Sequence, residues 1–183
     1  MEIKFTNPRI VRVSYLPDCN DERYRECTWA HFDFDPDNWM LNIQSDAGDY
    51  AYRWNVEKDR KFLVFMSKID GEYLLRKISR RTEVDIERTK ERLRDCLTDM
   101  EYVDVDDAME ALDSMLDDLG CDSEDFVKYA VDEWNNEENL DICDAWDYVY
   151  VDYPNDAKKI ARIFEDHIRK AIFDKLWEGG IEE

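Results

Sequence analysis

Outside its carboxylates, this chain offers few side chains capable of acid-base or nucleophilic chemistry. Its 183 residues include two histidines, His31 and His167, and five cysteines, Cys19, Cys27, Cys96, Cys121 and Cys143. A nucleophile pair of Cys27 and His31 would need the thiol within reach of the imidazole. In a strand, residues four apart share a face without guaranteed contact, so the pair is disfavoured. His167 falls in the last expected helix beside Ile168, an inward position. The cysteines are odd in number and widely spaced, with no C-x-x-C pair, which argues against a zinc site or a disulfide framework and for reduced thiols in a cytoplasmic protein. Asp33-Phe34-Asp35-Pro36-Asp37 opens like a calcium loop, whose alternate carboxylates supply oxygen ligands. The resemblance stops at Asn38, where the loop needs Gly, and at Gln44, where it needs Glu. An acidic turn at a strand end is the simpler expectation. With no Gly-rich phosphate loop or dinucleotide fingerprint either, the sequence predicts no catalytic residues, no metal ligands, no cofactor and no enzymatic activity.

The carboxylates themselves are distributed very unevenly. From Asp99 to Asp152 there are 20 acids against the single Lys128, a net of −19 out of the chain's −21, while the remaining 129 residues carry 26 acids and 24 bases. Asp104, Asp106, Asp107, Glu110, Asp113, Asp117 and Asp118 fall within fourteen helical steps, about 21 Å, or one charge per roughly 3 Å. The phosphates of one DNA strand are spaced at about 3.4 Å. Asp122, Glu124, Asp125, Asp132, Glu133, Glu137, Glu138, Asp141, Asp144 and Asp147 would extend the surface on neighbouring helices. Such a surface suits a partner that grips phosphates with Lys and Arg, with an affinity that falls as salt rises. Crowding like charges destabilises the fold, which a protein needing only solubility avoids by mixing signs. The competing reading is a solvated acidic face, part-neutralised by the basic stretch Arg53–Arg94 with its 13 bases and 8 acids. The same charge repels nucleic acid and anionic lipid. With no apolar run of the roughly 18 residues that span a bilayer, neither direct nucleic-acid binding nor membrane insertion is expected.

The elements that must position these groups follow from periodicity. Val11, Val13 and Tyr15, then Trp39, Leu41 and Ile43, then Tyr50, Tyr52 and Trp54 alternate as strands, with a further strand over about Glu26–Phe34. Asp46-Ala47-Gly48 reads as a three-residue hairpin connection. Phe62, Phe65 and Met66 begin a helical segment that Gly71 interrupts and Tyr73, Leu74 and Leu75 resume. A helix from Thr82 with capping-box spacing to Asp85 places Ile86, Leu93, Leu97 and Met100 on one stripe. Val105, Ala108, Met109, Leu112, Met115, Leu116 and Leu119 form the next, ended by Gly120, and a helix from Ser123 is expected to bury Phe126, Val127, Ala130, Val131 and Trp134. Ala145–Tyr153 is open between helix and strand, and its Tyr148, Tyr150 and Tyr153 could be aromatic anchors for a protein partner or ordinary core. Asn155–Trp177 is the last helix, with Ile160, Phe164, Ile168, Ile172 and Leu176 inward. The expected fold is α+β: an antiparallel sheet of about four strands over residues 1–55, then a helical layer over 56–183 with an acidic face, the whole forming one compact unit.

The run Trp39-Met40-Leu41-Asn42-Ile43-Gln44-Ser45-Asp46-Ala47-Gly48-Asp49-Tyr50-Ala51-Tyr52-Arg53-Trp54, followed by Phe62-Leu63 and Tyr73-Leu74-Leu75, resembles uncharacterised small proteins of bacteriophages and prophages. The resemblance covers some 45 residues of the sheet portion and brings no catalytic residues. It implies a setting in which small proteins often inhibit host defence, some of them as acidic DNA mimics of the anti-CRISPR or anti-restriction kind. The acidic half lies outside it. The expected function is therefore a stoichiometric phage-type inhibitor that blocks the nucleic-acid groove of a basic defence nuclease. The alternatives are an immunity protein or antitoxin against a basic nuclease toxin, and a divalent-metal regulator or enzyme using the carboxylates.

Overall fold

The computed structural model describes residues 9–20, 22–55, 61–118 and 123–179. In chain order the elements are β1 (Val11–Tyr15), a 3-10 turn (Glu22–Arg25), β2 (Ala30–Asp35), β3 (Met40–Ser45), β4 (Tyr50–Arg53), α1 (Phe62–Met66), α2 (Gly71–Ile78), β5 (Glu83–Val84) and α3 (Ile86–Asp99). There follow α4 (Val105–Asp118), α5 (Glu124–Glu137), a 3-10 turn (Ala145–Tyr148), β6 (Val151–Asp152), α6 (Asn155–Ile163), a π-helical turn (Phe164–Ile168) and α7 (Arg169–Trp177). The fold is α+β as expected. A four-stranded antiparallel sheet is followed by six helices among the described residues, taking α6, the π turn and α7 as one rod.

The chain divides into two units, Met1–Arg80 with Asn155–Glu183, and Arg81–Pro154. α1, α2 and the last helix belong to the sheet's unit. There the strands run in the order β1-β2-β3-β4, and their register sets rows across the sheet. Val11, Phe34, Leu41 and Tyr52 form one apolar row, and Val13, Phe32, Ile43 and Tyr50 the next, while Arg12, Asp33, Asn42 and Ala51 lie on the other face. The period of two thus builds one buried and one polar face. Trp39, Trp54 and Phe62 close the apolar side together with Phe164, Ile168 and Ile172 from the last helix.

Two expectations about this unit need correction. β2 starts at Ala30, not near Glu26, because the Cys27 thiol and both the amide and the hydroxyl of Thr28 donate to the Asp46 carboxylate instead of joining the ladder. The β3–β4 hairpin is wider than three residues. Its last pair is Ile43 with Tyr50, and the loop is held by Ser45 Oγ donating to the Gly48 carbonyl and Tyr50 Oη donating to that of Ala47, with Gly48 at φ +105°. Gly71 opens α2 at an Asp70 cap whose carboxylate accepts from the Tyr73 amide.

In the second unit α3, α4 and α5 form two antiparallel hairpins over a core of Leu93, Leu97, Ala108, Met109, Leu112, Val127, Val131 and Trp134. The Trp134 indole is fully buried and donates to the Ala108 carbonyl at 2.7 Å, tying the end of α5 to the start of α4. The Asn135 side chain then bonds both the amide and the carbonyl of Ile142 at 3.0 Å, ordering the turn that follows. The expected helix start at Thr82 is corrected by pairing. The Thr82 amide donates to the Asp152 carbonyl and the Asp85 amide to that of Tyr150, so β5 pairs with β6, and Asp85 caps α3. Met100, placed on the inward stripe, is exposed at the end of α3. Ala145–Tyr153 resolves into both alternatives, a 3-10 turn and then a short strand. Phe126 is not buried: 57% of it is exposed. The inward stripe of α5 is Val127, Ala130, Val131 and Trp134, and Phe126 precedes it by about 100° of helical turn. Leu119, Gly120 and Cys121 lie outside the described residues.

Candidate functional site

Seven of the acids singled out in the sequence map onto the α4 region. Asp104, Asp106, Asp107, Glu110, Asp113, Asp117 and Asp118 are all exposed, because the apolar stripe of Ala108, Met109 and Leu112 turns them outward. On α5 and the segment after it, Asp125, Glu137, Asp141, Asp144 and Asp147 are exposed and Glu124, Asp132, Glu133 and Glu138 half-buried. None of these sixteen is buried. Asp122 lies outside the described residues.

Not all of these charges are uncompensated. Asp106 and Asp113 share the α4 face turned to α3, where Arg94 Nη1 lies 2.6 Å from Asp106 and Lys90 Nζ 2.7 Å from Asp113. Both the hydrogen bond and the charge of Asp113 raise the Lys90 pKa. Lys128 Nζ is 2.6 Å from Glu124 one turn earlier, and that bond likewise raises its pKa. The remaining bases of this unit are on the other side. Arg88 and Arg92, out of phase with Lys90 and Arg94 on α3, lie over the rings of Tyr150 at 4.0 Å and Tyr148 at 5.6 Å, and Arg81 lies over Tyr153 at 5.5 Å. Of the six bases, three are thus held in ion pairs, Lys90 reaching Glu87 as well, and three lie over tyrosine rings. Asp104, Asp107, Glu110, Asp117 and Asp118 form no ion pair among the described residues. The five charges span about 21 Å, a mean interval of about 5 Å with a gap of about 10 Å between Glu110 and Asp117, against about 3.4 Å between the phosphates of one nucleic-acid strand.

The tyrosines weighed as protein anchors are therefore half-buried and stacked under arginines. Sequence reading missed these stacks because the partners are more than fifty residues apart. It also took Phe126 for core; that ring and Tyr129, 62% exposed, emerge on the open face of α5.

The other candidate chemistries find their groups otherwise engaged. Cys27 Sγ donates to Asp46 Oδ1 at 3.0 Å, and burial together with that carboxylate pushes its pKa up to about 12, so the thiol stays protonated. His31 Nδ1 is 2.9 Å from Ser14 Oγ. Of the calcium-like turn, Asp33 pairs with Arg12, which holds its carboxyl below the usual range, and Asp35 accepts from the Asn38 amide and side chain. No group of three or more His, Cys, Asp or Glu among the described residues could hold a metal ion.

A family model described as a phage family matches residues 1–174, and the chain belongs to that family. The match extends well past the sheet portion and takes in the acidic stretch. No curated protein and no solved structure matches the chain. No helix among the described residues is long and apolar enough to cross a membrane.

Proposed function

We propose that this phage protein is a stoichiometric, non-catalytic inhibitor whose α4–α5 surface occupies the nucleic-acid groove of a basic host defence protein, such as a CRISPR effector or restriction nuclease. One observation carries the reading. On the acidic unit every base is engaged by an ion pair or a tyrosine ring, while Asp104, just before α4, and Asp107, Glu110, Asp117 and Asp118 on it remain exposed. A helix presents the carboxylates on a backbone that needs no further ordering on binding, and a phosphate-gripping groove meets them with complementary charge.

The test replaces Asp104, Asp107, Glu110, Asp117 and Asp118 by Asn or Gln, singly and together, and measures inhibition of a defence nuclease recovered from host lysate on the immobilised chain, at two salt concentrations. The expected result is a graded loss that accumulates with each charge and a weaker salt dependence in the full variant. Full inhibition by a folded quintuple variant would refute the reading. Complete loss from one or two substitutions would favour a metal or catalytic role instead.

A further inference from the structure

We infer that Phe126 and Tyr129 take the place of bases in that groove, and that the partner is a protein that binds single-stranded or unstacked nucleic acid, not closed duplex. The inference rests on the charge-decoy reading and deepens it. Phe126 and Tyr129 are 57% and 62% exposed and lie three residues apart on α5, which separates them by about 4.5 Å along the axis, against about 3.4 Å between successive bases of a strand. They share the solvent side of the helix with Asp125, Glu133 and Glu137. Lys128, the base between them in sequence, is held by Glu124.

Two large rings exposed three residues apart on an otherwise polar helix face form an apolar spot that a partner can cover. The surrounding charge restricts what that can be. A second copy would bring the same carboxylates together, and an acidic or lipid surface would be repelled. A cationic surface with an aromatic or apolar slot satisfies both features, and single-strand binders have that construction: Lys and Arg along the backbone track and aromatic platforms beneath the bases. A duplex binder reads phosphates and groove edges and offers no slot for an isolated ring.

The experiment immobilises the full chain and presents host proteins eluted from single-stranded DNA resin and, separately, from duplex resin. Retained protein is then challenged with oligothymidylate or with duplex of equal length. Retention from the single-strand pool, displacement by oligothymidylate, and a loss of about tenfold or more in affinity for Phe126→Ala with Tyr129→Ala are expected. The salt dependence should stay as in wild type, because no charge is removed. Phe126→Leu with Tyr129→Leu keeps apolar volume but removes the ring faces, and should lose binding nearly as far. Unaltered binding by the folded aromatic variants, or displacement by duplex alone, would overturn this inference and leave the decoy reading standing. Binding insensitive to salt and to both nucleic acids, or none from either pool, would overturn both. Self-association of the free chain abolished by the same substitutions would assign the rings to a dimer contact and overturn the inference alone.

Discussion

Lys90 Nζ and Asp113 Oδ1 approach to 2.7 Å and join the middle of α3 to the second half of α4, on a side chain only 23% exposed at the lysine. The pair removes one charge from the proposed binding row while fixing the helix that carries it. A double-mutant cycle with Lys90→Met and Asp113→Asn should give a coupling of about 0.5–1 kcal/mol by denaturant unfolding, solvent screening keeping it small. Because the folded-state pKa of Lys90 is raised above its ordinary 10.5, its contribution is fully present below that value and is lost as pH rises through the folded-state pKa. The cycle should therefore shrink in strongly alkaline buffer and stay constant between neutral and mildly alkaline pH. An unchanged coupling above the folded pKa would contradict the assignment.

Gly71 tests the packing of the sheet unit. A Cβ built there would lie 2.6 Å from the backbone carbonyl oxygen of Ala161, so α2 and α6 can approach this closely only without a side chain. Gly71→Ala ordinarily favours a helix, yet here it should destabilise by about 1–3 kcal/mol as the helices are forced apart. Thermal unfolding that stays at the wild-type midpoint would show that the backbone relaxes freely.

Much of this was legible in the residues. Trp39, Leu41 and Ile43 announce the inward face of the sheet by alternation, and all are buried. Leu93, Leu97 and Leu112 likewise mark the core of the acidic unit. Legibility failed where local and distant bonds compete. Thr82 and Asp85 have capping-box spacing, but the backbone amides at those positions pair with Asp152 and Tyr150, and a contact some seventy residues away has no local signature. Phe126 failed for a different reason: a large apolar residue beside an inward stripe is read as core, and hydrophobicity alone cannot say that it is one position out of phase. The acidic face was legible as charge, while its pairing with Lys90 and Arg94 depended on the antiparallel α3–α4 hairpin.

Cys27 and Asp46 predict a thiol that is silent in the folded protein. Against the desolvation that would raise it, hydrogen bonds from Cys27 and Thr28 hold the Asp46 carboxyl down to about 2. Native labelling at mildly alkaline pH, mapped by peptide mass, should modify exposed Cys19 and Cys143 quickly and Cys27 only on unfolding. The depressed Asp46 pKa contributes stability above its unfolded value near 3.8 that is lost as pH falls through about 2. Asp46→Asn should therefore flatten the acid limb in that window and, after discounting for exposure, cost about 1 kcal/mol at neutral pH. Rapid native labelling of Cys27 would refute the arrangement.

Asp117 and Asp118 separate a functional acidic face from a merely solvated one. They are the last two residues of α4, where the helix dipole presents its negative end, and no base lies in that last turn. Carboxylates there oppose both the dipole and their acidic neighbours, whereas Asp106 in the first turn complements the dipole and pairs with Arg94. Replacing Asp117 and Asp118 together by Asn should therefore stabilise the fold by about 0.5–2 kcal/mol while weakening capture of the basic partner. Asp106→Asn should move stability the other way, by about 0.5 kcal/mol, through loss of the ion pair. Denaturant midpoints and partner affinity measured on the same variants give the comparison. Opposite movement of stability and affinity at Asp117 and Asp118 would mean that the chain carries a destabilising charge for the sake of its partner. A rise in stability with affinity unchanged would mark the end of α4 as outside the contact and confine the decoy surface to the exposed acids nearer Asp107 and to α5.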